Sequence, residues 1–227
     1  MKGNSFKYSD KGFESEELLI QNFLDTGFNR FFRKGYKVTR EFEIGSGRAD
    51  ILLVQIDERS CLYKNKVTLN STEILISSIL YHKKPISIKT LKTRTGLNQK
   101  KLLANLTSLT EKELIEETSL NCYIKNESLT PFYKYLVSIE AKLSKWEEAL
   151  TQAYRNRLFS NESYVLLDNK YIYNAYKNLN SFKQSNVGLI SIDAETRETR
   201  MVFRPKKTTP LSNHFVWRAG YDLNERI

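Results

Sequence analysis

The chain has 227 residues, 40% hydrophobic and 12% aromatic, enough for one large domain or two small ones with a true core. Its formal charge of +10 favours a polyanionic partner such as nucleic acid. The N-terminus lacks the apolar segment of a signal peptide and no long apolar run occurs, so no membrane partner is expected and the expected address is cytoplasmic.

Residues 14–28, "ESEELLIQNFLDTGF", place Leu19, Ile20, Phe23, Leu24 and Phe28 at helical steps, with Gly27 as the expected stop. Two strands follow: 36–44 alternates, Gly45-Ser46-Gly47 turns the chain, and 49–56 is nearly continuous apolar sequence. After a polar link the period becomes helical from Ser71 to Leu114, and strand character returns only at Phe132. The stretch "FYKYLVSIEAKL" then reads as a strand and 144–159 as a helix, with Trp146, Ala149, Leu150, Ala153 and Leu158 on one face. Short strands are expected at 163–168 and 186–194, a helix at 169–182, and an arginine-rich edge strand at 196–207; 211–227 receives no assignment. Cys61 and Cys122 lack metal-site or disulfide-framework spacing and read as reduced thiols.

Lifting out residues 71–127 leaves an order of elements suited to an α/β sandwich around a mixed central sheet. The expected domains are therefore 1–70 with 128–227, and an inserted 71–127. The insert has three helical segments, two of them meeting at Thr95-Gly96-Leu97, and then a β-ribbon pattern, so it resembles a winged helix-turn-helix with its recognition helix at about 98–109. From Lys83 to Lys101 there are seven basic residues and no acidic one, whereas "EKELIEE" just beyond is acidic. Lys100 and Lys101 are the leading candidates for DNA contact, with Lys92, Arg94 and Asn98 beside them. A helical protein-interaction domain with a solvated basic face is the bland alternative.

Within the strand at 132–143, Glu140 and Lys142 share one face while Ile139, Ala141 and Leu143 share the other. Asp50 heads the apolar strand after the glycine turn. If these two strands are neighbours, Asp50 and Glu140 point into one pocket, and two converging carboxylates are costly there unless a divalent cation sits between them.

"GRADILL", then a strand bearing "IEAK", then a helix "WEEALTQAYRNR" resemble the PD-(D/E)xK nuclease superfamily, in a branch without the proline before the aspartate. The resemblance covers the chain outside the insert and implies a restriction-endonuclease-like αβββαβ fold; the long gap from Asp50 to Glu140 is accounted for by the insert. It also implies that Asp50, Glu140 and the Ala141 carbonyl bind Mg²⁺ or Mn²⁺, and that Lys142 orients or helps deprotonate the attacking water. A first-helix glutamate is expected to complete the set. Glu16 lies roughly 30° from the centre of the apolar face and Glu17 roughly 70°, which favours Glu16. Gln152 and Arg155 occupy a QAxR-like motif that would contact phosphate or orient Glu140.

The expectation is a metal-dependent DNA endonuclease, with duplex DNA as partner and a homodimer or partner nuclease for double-strand cuts. A restriction, mobile-element or phage-defence role would suit it. The alternatives are a non-catalytic DNA-binding regulator on a nuclease scaffold and an RNA-processing nuclease. At the residue level, Glu140 and Lys142 could form an exposed salt bridge, Asp50 could cap the turn, and Arg155 with Arg157 could be a solvated helix end. Arg197, Arg200, Arg204, Lys206 and Lys207 could line a cleft or only protect an edge strand. Neither His82 nor His214 is assigned a catalytic role, and no Walker loop or hydrolytic triad occurs.

Overall fold

The computed structural model describes residues 8–32, 35–44 and 47–227, so positions 45 and 46 of the expected glycine turn lie outside the described residues. In chain order the first elements are α1 (Glu16–Asn22), a π turn (Phe23–Gly27) running into α2 (Phe28–Phe31), β1 (Lys37–Ile44) and β2 (Gly47–Ile56). Next come α3 (Cys61–Lys64), α4 (Ser71–Ile79), β3 (Ile86–Ser87), α5 (Ile88–Thr95), α6 (Gln99–Glu111), β4 (Ile115–Ser119) and β5 (Cys122–Lys125). The rest are β6 (Tyr133–Lys142), α7 (Trp146–Asn156), β7 (Glu162–Asp168), a 3-10 turn (Asn169–Tyr171), α8 (Ile172–Lys177), α9 (Leu179–Ser185), β8 (Gly188–Ile192), β9 (Thr199–Phe203) and α10 (Asn213–Asn224). None of the helices is long and apolar enough to cross a membrane, among the described residues.

The chain divides into two compact units. One combines the described residues up to Gln55 with Tyr135–Pro210; the other combines Ile56–Lys134 with Leu211–Ile227. The second unit is thus wider than the insert expected at 71–127, because α3 and α10 pack into its core: Cys61, Leu62 and Trp217 share one buried cluster with Leu91, Leu102 and Leu106.

In the first unit the described residues form a six-stranded mixed sheet in the order β1-β2-β6-β7-β8-β9. The pairs β1/β2 and β8/β9 are antiparallel, whereas β6, β7 and β8 run parallel. Parallel neighbours need a crossover, and α7 supplies the one between β6 and β7. Every residue of β7 and β8 is buried, as expected where helices cover both faces. Alternation divides their side chains: Tyr164, Leu166, Ile190 and Ile192 join the cluster beneath α1, while Val165, Leu167 and Leu189 pack with Ala149 and Ala153 of α7.

The first helical run is not one continuous α-helix. Ser15 Oγ caps α1 by accepting the Leu18 N–H at 3.2 Å, and the run then widens into the π turn. Gly27 does not stop it. A Cβ there would lie 2.4 Å from Thr199 Oγ1, so the glycine is required by the close approach of β9.

In the second unit β3-β5-β4 form a small antiparallel sheet beside the helices. Its α4 starts in a capping box, in which Asn70 accepts the Glu73 N–H and the Glu73 carboxylate accepts the Asn70 N–H. Glu73 is fully buried and also accepts from Ser108 Oγ and Lys112 Nζ, each at 2.8 Å. Burial opposes its charge, but these donors outweigh it and hold the carboxyl below the usual range. Glu73→Ala should therefore destabilise this unit by about 3 kcal/mol in denaturant titration, since three donors lose their acceptor. Because the folded pKa is depressed, that contribution is present above the unfolded pKa and fades as pH falls through the folded one.

Candidate functional site

Period-two alternation decides what β2 and β6 present. Ile51, Leu53, Val137, Ile139 and Ala141 lie in the cluster with Leu19 and Phe23, so Asp50 and Glu140 are directed to the opposite face, where α7 packs. The strands are sheet neighbours, and the Ala141 N–H donates to Asp50 Oδ2 at 2.8 Å. The Asp50 carboxylate thus reaches across to β6. Glu140 is not half of an exposed salt bridge. It is 1% exposed, and Asn156 of α7 donates to its Oε1.

The two carboxyls meet in a pocket of about 390 Å³ that Glu16, Glu17, Glu41, Arg48, Lys142 and Gln152 help to line. Lys142 Nζ lies 3.2 Å from Glu16 Oε2, whereas Glu17 is turned to Arg40, which donates to its two oxygens at 2.8 and 2.6 Å. Of the two first-helix glutamates, Glu16 is the one joined to Lys142. Arg48 also enters the pocket, tied to Glu41 at 2.5 Å.

The electrostatics follow from burial and repulsion. Glu140 is pushed up to about 8, first by desolvation and then by the Asp50 charge, with Asn156 and Lys142 pulling the other way. Asp50 is likewise raised by burial, against the Ala141 N–H and the Lys142 ammonium. Burial opposes the Lys142 ammonium too, but Asp50, Glu16 and Glu140 outweigh it and raise its pKa, so this group stays a cation at neutral pH. Two carboxylates that line one pocket repel each other, and a divalent cation held by both would offset that cost. Among the described residues no three His, Cys, Asp or Glu side chains form a ready-made metal cage. The donor set on offer is the two hard carboxylates, and its chemistry fits Mg²⁺ or Mn²⁺.

Gln152 of α7 lines the same pocket, and its buried Oε1 has no hydrogen-bond partner among the described residues. Arg155, expected beside it, is exposed and outside the pocket lining. Asn156, four residues after Gln152 and seven after Ala149, takes the inward position instead and was not singled out from the sequence. Its helical spacing was the available signal. Ala141 is fully buried in β6.

The basic candidates lie in the second unit. Lys92 and Arg94 are exposed on the last turn of α5, and Lys100 and Lys101 on the first turn of α6. Asn98 is the N-cap of α6, with its Oδ1 accepting the Lys101 N–H at 2.8 Å. Set against protein-family models, curated proteins and solved structures, the chain matches none of them.

Proposed function

We propose that the chain is a metal-dependent DNA endonuclease that works as PD-(D/E)xK nucleases do. One observation carries the reading: Asp50 of β2 and Glu140 and Lys142 of β6 line one pocket, where burial and the Asp50 charge push the Glu140 carboxyl up. Asp50 and Glu140 would hold Mg²⁺ or Mn²⁺, aided by the Ala141 carbonyl. Bound there, the metal supplies a water of lowered pKa and positive charge against the scissile phosphate. Lys142, steadied by Glu16, presents its ammonium to the developing phosphorane charge and orients the water. Gln152 Oε1 is an acceptor without a hydrogen bond among the described residues, suited to one hydrogen of that water.

In the second unit, α5 ends in Gly96 at φ 69°, α6 follows at once, and the β3-β5-β4 ribbon packs with them. That arrangement supports a winged helix-turn-helix reading in which α6 anchors duplex DNA through Lys100 and Lys101, with Lys92, Arg94 and Asn98 alongside. Lys100→Ala and Lys101→Ala should each reduce the slope of log affinity for duplex against log salt by about 1. An unchanged slope in both removes them from the interface. A single pocket cuts one strand at a time, so duplex breakage calls for a homodimer or a partner nuclease.

The test is nicking of supercoiled plasmid by the wild-type chain in Mg²⁺, in Mn²⁺ and in EDTA. Relaxed circles in metal alone are the expected result, and cutting that persists in EDTA overturns the reading.

A further inference from the structure

The segment after β7, "NKYIYNAYK", carries three tyrosines and two lysines and no acidic residue. It forms the 3-10 turn and α8, whose buried residues are Ile172 and Ala175. Tyr171, Tyr173 and Tyr176 lie off that stripe and remain 40%, 45% and 41% exposed. They are therefore not present to fill the core, and three large rings exposed within one short segment form an uncommon surface. The two lysines lie against them. Lys177 Nζ is 4.3 Å from the Tyr173 ring centroid and Lys170 Nζ is 5.5 Å from that of Tyr171, while Tyr8 meets Tyr173 edge to face.

Rings with ammonium groups over them match one kind of ligand closely: unpaired bases stack on the aromatic faces in place of the lysines, whose cations move to the phosphates between them. A duplex keeps its bases stacked on one another and offers no such faces, and an acidic peptide would use the lysines and leave the rings idle. Position in the fold links this surface to the candidate site. β6 and β7 are parallel with Lys142 opposite Leu167, so their C-terminal ends share one edge of the sheet. Lys142 ends β6 there, and the tyrosine segment begins directly after Asp168 at the end of β7.

We propose that this tyrosine and lysine surface binds single-stranded DNA and seats the unpaired strand that flanks the candidate site. The substrate class it implies is DNA with a single-stranded arm. The link to cleavage rests on the nuclease reading; the binding does not.

Binding is measured with the full chain in EDTA, so that nothing is cut, by fluorescence anisotropy on a labelled oligothymidylate of about 15 nucleotides, a blunt duplex and an oligouridylate of equal length. Tyr173→Ala and Tyr176→Ala should each weaken oligothymidylate binding by about 5- to 100-fold and leave duplex affinity unchanged. Tyr173→Phe keeps the ring and should stay within about 2-fold of wild type, and Lys177→Ala should flatten the salt dependence. Alanine variants that bind oligothymidylate as wild type does overturn the proposal, and so does equal loss on the duplex. Tighter binding of oligouridylate overturns the assignment to DNA. If no metal supports nicking while tyrosine-dependent binding persists, the nuclease reading falls and this one stands.

Discussion

Asp50→Asn and Lys142→Ala should each lower metal-dependent plasmid nicking by about 10³-fold or more, with the fold retained. For Asp50 the reason is charge: the amide oxygen of asparagine can still accept the Ala141 N–H that Asp50 holds at 2.8 Å, so the strand pairing survives while half of the anionic donor set is gone. Several kcal/mol of transition-state stabilisation from a bound divalent ion corresponds to about three decades in rate. For Lys142 the loss is a cation kept charged by Asp50, Glu16 and Glu140. Lys142→Arg keeps the charge but not the compact ammonium fitted against Glu16, and an intermediate loss of about 10- to 100-fold is expected. The check is single-turnover nicking beside a melting curve for each variant. Activity within a few-fold of wild type in either Asp50→Asn or Lys142→Ala would remove that residue from the reaction.

The parts of this site that the sequence made legible are those set by short-range periodicity. Glu140 and Lys142 two apart on a strand must share a face, and Asp50 heading an apolar strand must find a partner for its charge. Glu16 over Glu17 followed from the angle each makes with the apolar stripe of the first helix, and the pairing of Glu17 with Arg40 shows where the displaced glutamate goes. What local pattern could not supply was the packing partner of each face. Whether Arg155 or Asn156 meets Glu140 depends on how α7 lies across β6, and the two positions differ by a single helical step. Gly27 carried the usual sign of a helix stop, but its cause is Thr199, distant in sequence and packed directly on it. Helix α10 is not legible from the pattern because Arg218, Asp222 and other polar residues interrupt its apolar positions; its order comes from Trp217 entering the second unit's core, with Leu223 buried as well.

The acid pair that would bind metal is also a source of instability, and that makes Glu140 testable without any substrate. Its carboxyl has a folded-state value of about 8 against about 4.3 for an unfolded chain. The folded state thus binds the extra proton, so stability falls as pH rises from about 4.3 and stops falling only above about 8. Across that window the group costs the fold on the order of 5 kcal/mol. Glu140→Gln keeps an oxygen for the Asn156 donor and removes the charge. At pH 8 without metal its melting temperature should exceed that of the wild type by about 10–20 °C, and the difference should shrink as pH is lowered towards 5. Mg²⁺ at 100 times its dissociation constant should stabilise the wild type by about 2.7 kcal/mol and leave Glu140→Gln nearly unmoved, because the variant lacks half of the donor set. Parallel melting curves for the two proteins at every pH and metal concentration would show that Glu140 neither carries the buried charge nor meets the cation. A variant that melts higher and cuts nothing would instead tie the strain in this pocket to its chemistry, since the burial of Glu140 beside the Asp50 charge, which weakens the metal-free fold, is what a bound divalent ion would offset.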